Sequence, residues 1–150
     1  MGAPRIIVHN LEQAKAALKV ADELAVAVTL ISAPGAAAYL GAAVFRDMIN
    51  EASRCHPGVS HEAVLDCGDD PGLVLGALRH GIKAVRVDVG ADVGTRLADI
   101  AAQQGAIILT DETPALDLID SSDPLAACRT WLAAADRGSD SLKPRKRSKN

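Results

Sequence analysis

Residues 63–88 read Ala63-Val-Leu-Asp66-Cys-Gly-Asp-Asp70-Pro-Gly-Leu-Val-Leu-Gly-Ala-Leu-Arg-His80-Gly-Ile-Lys-Ala84-Val-Arg-Val-Asp88, and this stretch decides the fold class. A short apolar run ends on Asp66. Asp70 then caps a helix with Pro71 at its first position, and Gly81 stops that helix. A second apolar run, Ala84 to Asp88, follows at once. Two short strands joined through a helix argue for a parallel pair, since parallel neighbours need such a crossover. The punctuation recurs 22 residues on: Asp66-x-Gly68-x-Asp70-x-Gly72-x-x-Leu75 returns as Asp88-x-Gly90-x-Asp92-x-Gly94-x-x-Leu97. Glycine for the turn and aspartate for the helix cap account for both copies.

The same alternation extends in both directions. Ile6 to His9 reads as the first strand, and Asn10 caps the first helix with Gln13 as its capping-box partner. Ala25 to Ile31 is the second strand, and Ser32-Ala-Pro-Gly35 turns into a second helix running to about Arg54. After the quoted stretch, Gly94 to Gln104 is a helix and Ala106 to Thr110 the fifth strand. Thr113-Pro114 reads as a short helical turn. Asp123-Pro124 opens the last helix, which ends near Gly138. Five strand–helix units in strict order imply an α/β fold with a parallel sheet. Two topologies fit: a flavodoxin-like open sheet of order 2-1-3-4-5, or a half-barrel of five consecutive units. Residues 1–138 are expected to form a single α/β domain and 139–150 a disordered basic tail.

The segment from Asp70 to Asp88 resembles one strand–helix unit of the phosphosugar-aldolase type of βα barrel, where a helix ending in Ala-Leu-x-x-Gly feeds a short strand. The resemblance covers about 20 of the 150 residues and assigns no family to the whole chain. It implies the barrel architecture. Such aldolases also carry a Schiff-base lysine at the C-terminal end of a strand. Here Lys15 and Lys19 fall on the first helix and Lys83 precedes the fourth strand, so the resemblance does not carry the activity over.

Composition narrows the function classes. The chain holds 28 alanines against one Trp, one Tyr and one Phe. Folds and sites that stack rings on aromatic side chains are therefore excluded. A bound molecule has to be small and held by polar groups. The net charge is −3, with five cations in the last eight residues, so residues 1–142 carry about −8 by subtraction. That acidic body argues against specific duplex-DNA binding, while the basic tail suits contact with an acidic partner. Three cysteines without a CxxC pair point to a reducing, cytoplasmic setting. Leu24 to Phe45 lacks charge, but Pro34-Gly35 divides it and alanine fills its second half. It reads as a buried strand, turn and helix, and no membrane span is expected.

Ligand sites in parallel α/β folds lie beyond the strand C-termini. His9, Asp66, Cys67 and Asp111 fall there as candidate catalytic groups, with His9 and Cys67 as a base–nucleophile pair if their strands are neighbours. Asn10, Ser32, Gly35, Arg86, Asp88 and Thr110 are candidate ligand contacts. The small residues at Ser32–Gly35 suit an anion at a helix start. Arg86 interrupts an apolar strand, and Asp66 or Asp88 is its expected partner. Metal is not expected, and cofactors stay unassigned: neither GxGxxG nor GxxxxGK occurs. Two functions remain open. One is a non-catalytic binding or assembly module, which the lack of a catalytic signature favours. The other is a lyase- or isomerase-like enzyme acting on a small phosphorylated or carboxylated metabolite. Homo-oligomerisation suits both, because a half-barrel would expose its edges and inner face.

Overall fold

The computed structural model describes residues 2–142. Six strands and six helices follow in the order β1 (Arg5–Ile7), α1 (Leu11–Leu24), β2 (Val28–Ile31), α2 (Ala36–Tyr39), α3 (Ala42–Ser53), β3 (His61–Asp66), α4 (Pro71–Arg79), β4 (Ala84–Arg86), α5 (Ala91–Gln103), β5 (Ile107–Leu109), β6 (Ala115–Asp117) and α6 (Pro124–Leu142), so that alternation breaks at α2–α3 and at β5–β6. Every strand pair is parallel, in the order β5-β4-β3-β2-β1-β6. The first five strands are neighbours in sequence order, as consecutive units of a barrel are. The 2-1-3-4-5 order does not occur, because β2 lies between β1 and β3.

Several local expectations change. Ala25 closes α1 in the left-handed conformation at φ 56, so the second strand starts only at Val28. The helix expected to run unbroken to Arg54 is cut at Gly41, whose φ of 89 leaves the helical range. In place of a helical turn at Thr113-Pro114, the chain enters β6, which pairs with β1 from Arg5↔Ala115 to Ile7↔Asp117. The last helix continues through Leu142 rather than ending near Gly138. The tail from Lys143 onward lies outside the described residues. No helix among the described residues is long and apolar enough to cross a membrane.

Strand alternation sorts side chains onto two faces. Ile6, Val8, Val28, Leu30, Leu65, Cys67, Val85, Val87 and Leu118 meet the helices in one core, to which α1 contributes Leu18 and Val20, α3 Phe45 and Ile49, α4 Val74 and Leu78, and α6 Cys128 and Leu132. The opposite face carries Ile31, Val64 and Ala84 with Ile7 and Leu109 against them, and no helical residue among the described ones joins that cluster. Val64 and Ala84 are nevertheless fully buried.

Chain length explains the burial. Strands β5 and β6 occupy opposite edges of the sheet. On a flat sheet they would stand five strand spacings apart, about 24 Å. The six Cα steps from Leu109 to Ala115 reach at most about 21 Å. The sheet therefore has to curl, with its helix-free side concave and residues 110–114 crossing that side. Asp111 marks the crossing. Its carboxylate meets Arg5 of β1 at 3.1 Å, and its carbonyl accepts from Arg86 Nε of β4 at 2.9 Å.

Candidate functional site

The strand C-terminal end of the concave side gathers most of the candidate residues, in two separate groups. The first is built on Asp66, the last residue of β3. Its carboxylate is buried and accepts from the Gly68 N–H at 2.8 Å and the Gly35 N–H at 2.9 Å. Both donors sit in left-handed backbone, at φ 62 and φ 70, and a Cβ on Gly68 would stand 3.7 Å from the Gly35 Cα. Glycine at both positions lets two turns close on one carboxylate. The Asp66 N–H in turn donates to Ser32 Oγ at 2.9 Å. The Ser32–Gly35 turn thus holds an aspartate of the chain itself where a bound anion was expected, and the helix behind it, α2, has only four residues.

Arg86 completes this group. Its side chain is 14% exposed and its Nη1 donates to Asp66 Oδ2 at 3.3 Å, which is the partnership expected from the sequence. Its other edge faces the crossing segment: Nε donates to the Asp111 carbonyl at 2.9 Å and Nη2 to Glu112 Oε2 at 3.3 Å. Glu112 is 84% exposed. Asp111 also accepts from Thr113 Oγ1. That bond first, and Arg5 after it, hold the Asp111 carboxyl below the ordinary aspartate range.

The second group is His9 with Asp117. His9 Nε2 lies 2.6 Å from Asp117 Oδ1, which also accepts from the Ile119 N–H at 3.0 Å. The His9 backbone N–H donates to Gln13 Oε1 at 2.7 Å, and Gln13 Nε2 donates to the Leu118 carbonyl, so this glutamine ties α1 to the end of β6; its side chain reaches the residue before the N-cap instead of Asn10, and only the Asn10 half of the expected capping box forms. Asn10 spends its side chain on the Gln13 N–H as the N-cap of α1.

His9 and Cys67 do not meet. Strand β2 separates their strands, and alternation turns Cys67 into the helix-side core. Burial first, then the neighbouring Asp66 and Asp70 carboxylates, push its thiol up to about 12. A thiol that stays protonated is no nucleophile at neutral pH, which corrects the expectation that Cys67 acts in catalysis. Asp88 is exposed, with its backbone N–H on the Gly68 carbonyl at 2.7 Å, and Thr110 is exposed at the end of β5. The strand ends among the described residues carry no lysine: Lys83 precedes β4 and donates to the Gln104 carbonyl at 2.9 Å. No three His, Cys, Asp or Glu side chains among the described residues group closely enough to hold a metal ion.

The sequence reading missed Glu112 and Asp117. Glu112 lies in a segment with no periodicity, and Asp117 in a strand of three residues. An open groove of about 450 Å³ lies elsewhere, on the helix side, between α1 (Glu12, Lys15, Lys19), the Cys55–His56 loop and the start of α6.

Comparison with known proteins places this geometry. No family model matches the chain. It is 31% identical over 87 residues to a fructose-bisphosphate aldolase of Xanthobacter flavus, an alignment covering 58% of this chain and 25% of that protein. The chain thus spans a quarter of that relative's length. Its fold superposes on a crystal structure described as a fructose-1,6-bisphosphate aldolase of Coccidioides immitis with a TM-score of 0.59, at 20% identity, covering 71% of this chain and 44% of the other. The aldolase resemblance read in residues 70–88 extends to a partial likeness of sequence and of α/β architecture.

Proposed function

We propose that the chain is a partial aldolase-type barrel serving as a non-catalytic binding module for a small phosphorylated or carboxylated metabolite at the strand C-terminal mouth. One observation carries this reading. Arg86 is fixed on the concave face by a buried carboxylate, while its Nε and Nη2 point outward at the exposed crossing segment. An arginine anchored at one nitrogen, with its other edge met only by an exposed carbonyl and an exposed carboxylate, suits two-pronged capture of a carboxylate or phosphoryl group once they yield.

Catalysis has weaker support. His9 with Asp117 stands at β1 and β6, away from Arg86 on β4, Cys67 faces the wrong side, and no lysine reaches the mouth from the described residues. The partial aldolase likeness and the 2.6 Å His9–Asp117 contact favour the second reading, a lyase- or isomerase-like enzyme with His9 as base. Homo-oligomerisation has one support, the unpaired β5 edge with Ile107 46% exposed. Burial of the concave face removes the other.

Calorimetric titration with inorganic phosphate and fructose 1,6-bisphosphate tests the binding reading. We expect a Kd of about 1 mM or tighter, near 4 kcal/mol. Arg86→Lys, which keeps the charge beside Asp66 but removes the fork, should weaken it about tenfold while near-ultraviolet dichroism stays unchanged. Binding that is absent, or indifferent to Arg86→Lys, overturns it. Cleavage of fructose 1,6-bisphosphate that is lost in His9→Gln would establish the enzyme reading instead.

A further inference from the structure

The mouth that is proposed to take an anion carries its own. Arg86 contacts Asp66, Glu112 and the Asp111 carbonyl, and the exposed Asp88 follows two residues on along the same strand face. While residues 110–114 lie across the sheet, negative charge faces any incoming anion and the outward edge of Arg86 is filled.

Both occupants of that edge belong to the crossing segment. The Asp111 carbonyl sits on Nε and the Glu112 carboxylate on Nη2, the pair of positions a bidentate ligand takes. The segment is lightly held. All of Thr110 to Pro114 is exposed, and residues 110–113 make no backbone–backbone hydrogen bond with the described residues. Its attachments are the Arg5–Asp111 pair at 3.1 Å, the Arg86 contacts and the internal Thr113–Asp111 bond. Ion pairs at such exposure hold weakly. Lifting the segment would leave Arg86 anchored by Nη1 on Asp66, with its outer fork free.

Resting on the Arg86 reading above, we infer that residues 110–114 form a removable strap, in which the Glu112 carboxylate keeps the place of an anionic ligand until that ligand displaces it. The strap makes the site self-inhibited, and ligand binding and strap opening are one equilibrium.

Two measurements test this, both with inorganic phosphate as the probe. Glu112→Gln should bind phosphate about fivefold tighter than the wild-type chain. Val64→Cys, in a Cys55→Ser background, probes access to the concave side, where position 64 is fully buried in a cluster with Ile31, Ala84, Ile7 and Leu109 and cysteine nearly matches valine in size. Saturating phosphate should raise its labelling by a thiol reagent about fivefold. If the wild-type chain binds phosphate through Arg86 but neither value changes, the strap is refuted and the binding site stands. If the wild-type chain binds no phosphate, the reading of Arg86 and the strap fall together. If Val64→Cys does not fold, the Glu112→Gln comparison decides.

Discussion

The Arg86–Asp66 pair can be tested by a double-mutant cycle of Arg86→Met and Asp66→Asn. The two charges lie 3.3 Å apart, with side chains 14% and 5% exposed. At an effective dielectric constant of 20, their direct attraction is about 5 kcal/mol, most of it offset by desolvation. The two single changes should differ. Arg86→Met leaves a buried carboxylate supported only by the Gly35 and Gly68 N–H groups, and should cost about 3–4 kcal/mol. Asp66→Asn keeps an acceptor for those two N–H groups, and leaves Arg86 its contacts to Asp111 and Glu112. It should cost about 2 kcal/mol. In the double variant neither charge is stranded, and a coupling of about 2 kcal/mol is expected. For a chain of this size, the larger single change lowers Tm by about 10 °C. Urea unfolding followed by Trp131, the only tryptophan, measures all four corners. A coupling below about 0.5 kcal/mol, or Asp66→Asn costing more than Arg86→Met, would refute the account of Asp66 as a carboxylate held by two turns and one guanidinium.

Three further outcomes are expected. Asn10→Ala removes the α1 cap and should destabilise the fold by about 1 kcal/mol; a neutral result would mean that Gln13 alone secures the helix start. At pH 8 a thiol reagent should label Cys55 and leave Cys67 and Cys128 unmodified until the chain unfolds, since burial pushes those two thiols up to about 12 and about 11; rapid modification of Cys67 in the folded chain would contradict its placement in the helix-side core. The Asp111 carboxyl, followed by carbon-13 shift, should titrate below an unstructured aspartate, and Thr113→Val and Arg5→Met should each raise the midpoint. Because the folded value is the lower one, the stabilisation from Asp111 is present above the ordinary aspartate range and is lost as pH falls through the lowered midpoint. A midpoint at the unstructured value would show that Thr113 and Arg5 do not hold this carboxylate.

What was legible in the sequence is the part that local chemistry dictates. Asn10 and Asp70 cap the helices they precede, and Arg86 in an apolar strand called for an aspartate, Asp88 or Asp66, of which the structure supplies Asp66. The strand order was not local. Both candidate topologies share the same alternation, and they differ in which non-local pairs form. Strand β6 escaped because Ala115-Leu-Asp117 is too short to show a period, and it exists only because β1 offers a free edge. The site followed the same division. Asp66 and Arg86 are paired in register on adjacent strands, and the sequence named Asp66 as one of two candidate partners beside Asp88. Their other partners, Glu112 on Arg86 and the Gly35 N–H on Asp66, come from loops whose path depends on how far the sheet curls. The Ser32–Gly35 turn has the chemistry for an anion; only the three-dimensional structure shows that the anion is Asp66.

The pairing of β1 has a consequence for the order of assembly. Its register with β2 joins Arg5 to Thr29, and its register with β6 joins Arg5 to Ala115. Closing the second loop costs roughly 1 kcal/mol more chain entropy than closing the first, and contacts of such separation slow folding. Helix α6 packs on α1 behind the same junction, with Arg129 on Glu23. On a growing chain, β1 and α1 pair first with β2 and α3 and wait for the last quarter of the sequence to cover their other side. Changes within 115–132 should therefore act mainly on the unfolding rate, and changes around β2 and β3 on the folding rate.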